Sequence, residues 1–296
     1  MAYENNRRTP RMKNVRGLEL VRTVRQERHE DAGNGNRMPE AVMKTEGLTF
    51  SYDGTANVLE NFNLGIQKGK ITVLMGANGC GKSTLFNLMT RNLYPDEGTV
   101  LLRGRNADDM NRKEFARNVA IVHQNNTAPP DLTVETLIGY GRTPYLAPFQ
   151  TAGDMEDKKA VEWAMEVTHV DPIRNKYVSE LSGGQRQRVW IAMSLAQMTD
   201  VLFLDEPTTY LDIRYQIEIL KLVRRLNREY GITIVMVLHD INQAMEYGDV
   251  FIGMKDGEIV TEGDPKEVVD AEVLYKLYGI RLPVAETEGR RYVLTV

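Results

Sequence analysis

The chain has 296 residues, 42% of them hydrophobic and 26% charged, and a formal net charge of −4. That length can bury a sizeable core in one large domain or two, and the charge gives no general reason to expect a nucleic-acid partner. No run of about 18 apolar residues is present, the N-terminus carries charges where a signal peptide needs an apolar stretch, and the one cysteine, Cys80, excludes an internal disulfide.

Residues 1–40 differ from the rest. Positions 7–28 hold eight basic and two acidic residues, and Met12, Val15, Leu18, Val21 and Val24 recur every third position. A basic amphipathic helix on an anionic membrane surface is one reading. A solvated, flexible extension is the favoured one, because residues 31–36 form a Gly- and Asn-rich linker and the apolar stripe is thin.

From Ala41 the pattern becomes strand-rich. Residues 41–52 and 58–67 alternate and flank a turn with Asp53-Gly54, which predicts an antiparallel sheet. An apolar strand-type run, 71–75, then leads into Gly76-Ala77-Asn78-Gly79-Cys80-Gly81-Lys82-Ser83-Thr84. This is G-x-x-x-x-G-K-[ST], the phosphate-binding loop of nucleotide-hydrolysing enzymes. Its glycines let backbone N–H groups turn inward and approach phosphate closely. The next helix points its positive end at the same phosphates. Lys82 adds a charge for the β- and γ-phosphates, and Ser83 a hydroxyl for Mg²⁺. Strand, loop and helix in that order are the context that distinguishes this motif from a Gly-rich turn.

Two more short strands are expected at 100–103 and 119–123, with a helix at 112–117 between them. Residues from about 126 to 180 read as a mostly helical insertion. Asp131 or Thr133 caps its first helix, the stretch 139–144 breaks it, and 154–167 is helical with Val161, Trp163 and Met165 as core. Ser182-Gly183-Gly184 opens a helix over 185–197, a second glycine-rich loop at a helix start and so a second anion site. A buried-type strand, 201–204, ends in Asp205-Glu206. An amphipathic helix, 213–230, stops at Gly231, and a further strand, 232–238, ends in His239-Asp240. Two strands around Asp256-Gly257, a helix at 271–277 and a strand at 292–296 close the chain. Apolar strands alternating with helices predict a parallel sheet covered on both faces, with its chemistry at the carboxyl ends of the strands.

The polar residues at those ends divide into roles. Asp205 is the candidate Mg²⁺ ligand and Glu206 the candidate general base toward the attacking water. Gln124, after the strand 119–123, can ligate Mg²⁺ or orient water without titrating. His239 can hydrogen-bond a γ-phosphate or its attacking water. His29, His123 and His169 read as structural or exposed, and Arg186 and Arg188 as helix-surface charges.

Together these residues resemble the nucleotide-binding subunits of ATP-binding-cassette (ABC) transporters, over about residues 41–265. The resemblance covers the Walker A loop, the Gln-loop at Gln124, and the signature Leu181-Ser182-Gly183-Gly184-Gln185. It continues through Walker B with its glutamate (Asp205, Glu206), the D-loop Tyr210-Leu211-Asp212 and the switch His239. Tyr52, in Phe50-Ser51-Tyr52-Asp53, matches the aromatic that stacks on adenine. Ala77 departs from the common proline, which backbone N–H binding does not need.

The resemblance implies an α/β P-loop NTPase core with a mainly parallel sheet, an antiparallel β subdomain and a helical subdomain, all within 41–296. It implies ATP and Mg²⁺ as cofactors and a head-to-tail homodimer. Each ATP would lie between Walker A of one copy and Ser182, Gly183, Gly184 and Gln185 of the other, with Asp212 at the interface. The stretches 139–145, 185–197 and 205–212 resemble the iron-siderophore, haem and cobalamin import branch. That branch implies a membrane permease docked near Gln124 and residues 125–134, a substrate-binding protein upstream, and a peripheral place on the cytoplasmic face of the membrane. A soluble non-transport ABC ATPase, for repair or translation, is the alternative. The 100 residues between Lys82 and Ser182 leave no room for the coiled coil of chromosome-type members, and one cassette per chain suits translation-type members poorly.

Overall fold

A computed structural model describes residues 41–147 and 154–294. The basic extension 1–40, part of the helical insertion (148–153) and the end of the last expected strand lie outside the described residues.

The elements, in chain order, begin with β1 (Ala41–Ser51), β2 (Asn57–Gln67), β3 (Ile71–Met75), α1 (Lys82–Met89), β4 (Glu97–Leu102) and β5 (Arg105–Asn106). Then come α2 (Arg112–Ala116), β6 (Val119–Val122), α3 (Val134–Gly139), α4 (Met155–Thr168), α5 (Gly183–Ala196), β7 (Val201–Asp205) and α6 (Ile213–Tyr230). The last are β8 (Thr233–Val237), α7 (Ile241–Tyr247), β9 (Val250–Lys255), β10 (Glu258–Gly263), α8 (Pro265–Val268), α9 (Ala271–Tyr278), β11 (Val284–Thr287) and β12 (Arg290–Val293).

The central sheet has the order β10-β9-β3-β8-β7-β6. All neighbours in it are parallel except β9 and β10. Strands β3, β7 and β8 have almost no polar residue because both faces are covered, and β3 and β8 are buried along their whole length. Register sets their carboxyl ends level: Leu74 pairs with Val237, Asp205 with Val237, and Val122 with Leu204. A second sheet, β2-β1-β4-β5, is antiparallel. The expected β1–β2 hairpin forms through five residues, 52–56, which include Asp53 and Gly54. One core cluster joins the two sheets: Phe86 of α1 stacks edge-on against Phe203 of β7, and Leu59 and Phe62 reach it from β2. The fold is the α/β P-loop arrangement expected from the sequence.

Helix ends follow their side chains. Thr133, not Asp131, caps α3, accepting from the Thr136 N–H. Asp154 caps α4 in a reciprocal box with Asp157. The signature helix starts two residues earlier than expected because Ser182 caps it, with Gln185 closing the box. In α4, Trp163 and Met165 are buried, whereas Val161 is only half-buried. The stretch after α3 is structural. A side chain on Gly141 would meet the Met193 carbonyl at 2.1 Å. Buried Arg142 pairs with Asp157 at 2.6 Å, donates to the Ala196 carbonyl and lies over the Tyr145 ring.

Candidate nucleotide site

The phosphate loop leaves β3 at Gly76, whose φ of +148° brings its Cα so close to Met254 that a Cβ would lie 2.2 Å from that carbonyl. Gly81, at φ +101°, turns the chain into α1. Neighbouring elements brace the loop. The Gly257 N–H donates to the Cys80 carbonyl at 3.1 Å from the β9–β10 turn, and Leu59 of β2 packs on Gly81. Lys82 is buried, and its ammonium donates to the Gly76 and Ala77 carbonyls, both at 2.8 Å. Ala77 is half-buried, and Asn78, Gly79 and Ser83 face solvent. Tyr52 is exposed at the end of β1, and its hydroxyl lies 3.1 Å from that of Thr84. The two ends of the expected nucleotide pocket, aromatic ring and phosphate loop, are thus in contact.

Beside the loop, three strand ends converge on one carboxylate. Glu206 comes directly after β7 with φ +48°, a strained conformation that aims its side chain across the sheet. The Gln124 amide, after β6, donates to Glu206 Oε2 at 2.5 Å. His239 Nε2, after β8, lies 2.6 Å from Oε1. The Thr209 hydroxyl donates to Oε2 at 3.0 Å. Asp205 is partly buried beside them. Burial and the charge of Glu206 push its carboxyl up to about 6, against a smaller pull from His239.

A carboxylate held in that state suits a cation. Among the described residues no cluster of three or more His, Cys, Asp or Glu side chains is arranged to hold a metal alone. The oxygen donors here (Ser83 hydroxyl, Asp205 carboxylate, Gln124 carbonyl) fit Mg²⁺, which typically takes one or two carboxylates and completes its shell with phosphate and water.

The signature stands elsewhere. A Cβ on Gly184 would lie 2.4 Å from the Tyr215 ring, and one on Gly183 would touch Leu211. None of the side chains that brace the phosphate loop is among these neighbours. Asp212 is exposed and caps α6 through the Tyr215 N–H. Around it Tyr210 is 89% exposed and Ile213 76%, an apolar surface that a monomer leaves in water. Arg188 pairs with Glu218 at 2.5 Å, bolting α5 to α6, and Arg186 donates to the Leu181 carbonyl. His123 is half-buried, and burial lowers its pKa. His169 ends α4 with φ +58° and contacts Arg225.

Two residues of the site carry little mark in the sequence. Thr209 has no signal beyond its place immediately before the D-loop. Tyr278, the last residue of α9, lies beside the Gly76 backbone and Cys80. Burial and the nearby Cys80 push its phenol up to about 12, and the Gly76 backbone pulls the other way.

Residues 59–209 match the family model described as ABC transporter. The chain is 44% identical over 251 residues to the ferric enterobactin transport ATP-binding protein FepC of Escherichia coli (strain K12), covering 84% of this chain and 92% of that one. It is 44% identical to the iron(3+)-hydroxamate import ATP-binding protein FhuC of Bacillus subtilis (strain 168), covering 80% and 88%. Among solved structures it is similar to cbiO1 from Clostridium perfringens, part of the transporter complex cbiONQ, at 32% identity and TM-score 0.68, covering 80% and 94%. It is also similar to the dimeric transporter cassette MJ0796, at 31% identity and TM-score 0.65, covering 75% and 98%.

Proposed function

This chain belongs to the ABC transporter family as an ATP-binding subunit, and from that premise we propose that it powers the import of an iron–siderophore complex through a membrane permease. It is an ATPase. The observation that carries the reading is the convergence of Gln124 and His239 on Glu206 beside a braced phosphate loop, together with the naming of its relatives for siderophore import.

Each part of the site has its own task. The loop from Gly76 to Thr84 binds the phosphates through its backbone N–H groups and Lys82, and Tyr52 stacks on the adenine. Glu206 is the general base that takes a proton from the attacking water. Gln124 and Thr209 orient its Oε2, and His239 on Oε1 is placed to reach the γ-phosphate. Ser83, Asp205 and the Gln124 carbonyl would hold Mg²⁺, which would neutralise phosphate charge. Ser182, Gly183, Gly184 and Gln185 act on the nucleotide of a second copy, and the exposed Tyr210, Asp212 and Ile213 lie in the contact between copies.

Among the described residues no helix is long and apolar enough to cross a membrane. The membrane attachment in this reading is through a permease partner. Residues 125–134 are its docking segment. They are tied to the approach to the signature by Val178 N–H to the Leu132 carbonyl at 2.9 Å and Ser179 to the Pro130 carbonyl at 2.9 Å. A movement of the permease against this segment therefore displaces the signature. Residues 1–40 form a separate extension, residues 126–180 a helical subdomain, the subunit sits on the cytoplasmic face, and a substrate-binding protein delivers the cargo.

Deleting the gene and measuring growth on ferric siderophores as sole iron source tests the cargo. Growth equal to the parent on every siderophore would overturn it. The ATPase assignment stands or falls separately, on turnover by the purified chain.

A further inference from the structure

A second polar cleft, of about 580 Å³, opens at the amino ends of β3 and β9. The phosphate loop leaves β3 at its other end, so a strand of five residues, roughly 17 Å, separates the two. The walls come from the entry to β3, α6, α7, the start of α8 and the β11–β12 hairpin. Six cationic and four acidic residues line it.

Three of the four acids are already engaged. Asp249 accepts from the Ile71 N–H at 2.9 Å and pairs with Arg228. Asp264 accepts from the Lys266 N–H at 2.9 Å as the cap of α8. Glu246 is shared between Arg224 at 3.2 Å and Arg290 at 3.9 Å. This leaves Lys70, Lys266 and Arg291 facing the cleft without a carboxylate partner among the described residues, against Glu286 alone.

Arg291 donates to the Lys266 carbonyl at 2.7 Å, which sets two cationic residues side by side. Their placement is fixed by the hairpin. The Asn242 side-chain amide accepts from the Val293 N–H at 2.8 Å and donates to its carbonyl at 3.0 Å, and Val293 is buried. A cleft lined by more cationic than acidic side chains attracts anions. Guanidinium and ammonium groups lining one cleft suit phosphate oxygens, and the volume is that of a small-molecule site.

We propose that this cleft binds a soluble, multiply charged phosphate compound, with Lys70, Lys266 and Arg291 as its cationic contacts. The assignment is independent of the nucleotide site, because none of these side chains reaches the phosphate loop.

The test is equilibrium dialysis of labelled pyrophosphate against the full chain at low salt, with the phosphate loop saturated by ADP. The expected result is saturable binding that weakens about 10-fold or more in Lys266→Glu/Arg291→Glu and falls as salt rises. Lys276→Glu, which breaks an exposed pair on α9, should leave it unchanged. Lys70→Glu provides the same reading if the double variant melts early. No saturable binding at about 10 mM pyrophosphate, or equal binding by wild type and the charge-reversed variants, would overturn the proposal. Phosphatidylglycerol vesicles form a second arm. Vesicle binding lost in the variants, with none to pyrophosphate, would assign the cleft to a lipid surface and overturn the soluble ligand.

Discussion

Gln124 Nε2 lies 2.5 Å from Glu206 Oε2, although 82 residues separate them in the chain. The contact exists because β6 and β7 are parallel neighbours in register, so the residues just past each strand meet at one end of the sheet. Glu206 is thereby held between Gln124, Thr209 and His239 and cannot rotate freely. Replacing it with glutamine keeps the shape and removes the base. Glu206→Gln should lower ATP turnover by about 10²- to 10⁴-fold and accumulate an ATP-bound dimer. Light scattering that still reports a monomer with ATP would argue against the head-to-tail pair.

Lys82, proposed to bind phosphate, also stitches Gly76 and Ala77 together through its ammonium at 2.8 Å. Charge-assisted bonds contribute about 1.5–3 kcal/mol each. Lys82→Ala should therefore weaken ATP binding or hydrolysis by at least about 100-fold. Unchanged turnover in a steady-state assay would remove the loop from the mechanism.

Tyr278 touches the loop from outside the motifs. Tyr278→Phe removes the phenol oxygen beside the Gly76 backbone while keeping the ring. Loss of a polar contact worth about 1 kcal/mol predicts a roughly fivefold rise in KM for ATP, with kcat little changed. A lower melting temperature at unchanged KM would show that the phenol only supports α9.

Asp205 makes stability depend on pH in an unusual direction. Its folded-state value of about 6 lies above the ordinary carboxyl value of 3.8. The fold therefore favours the neutral acid. The destabilisation is complete above about pH 6 and relieved as pH falls toward 3.8. Asp205→Asn should stabilise the nucleotide-free protein at pH 8, by at most on the order of 3 kcal/mol, and the gain should vanish near pH 4. Melting curves across that range decide it. A gain that grew toward acid would contradict the assigned cause. The same substitution should weaken Mg²⁺-dependent hydrolysis.

Arg142 and Asp157 form the most buried ion pair among the described residues, both side chains about nine-tenths covered. Truncating one partner strands the other. Arg142→Ala should destabilise the protein by about 3–5 kcal/mol, measured by urea melting. A loss below about 1 kcal/mol would mean that Asp157 finds other partners.

The sequence made much of this legible, and for identifiable reasons. A phosphate loop needs glycines at fixed spacing, and apolar runs ending in acid announce buried strands. The order of strands in the sheet has no such local mark. That Gln124, Glu206 and His239 touch emerges only once β6, β7 and β8 are known to be adjacent. Tyr278 was silent because one backbone contact leaves no spacing pattern. The stretch 139–145 looked like a family marker, and the structure gives its physics: a close backbone approach at Gly141 and a buried charge at Arg142. Val161 misled because helical periodicity marks a face, and the edge of a face is half in water.

Gly184 lies so near the Tyr215 ring that any side chain would collide with it. Tyr215 is in turn held by Asp212, and Arg188 fastens the same two helices again. On the proposed head-to-tail pairing, the segment offered to a partner's nucleotide and the segment facing that partner are therefore one solid piece. Neither can tilt without carrying the other. In that pairing, loss of phosphate at one site would be felt at its twin through this joint, and the two sites would share a single mechanical coordinate.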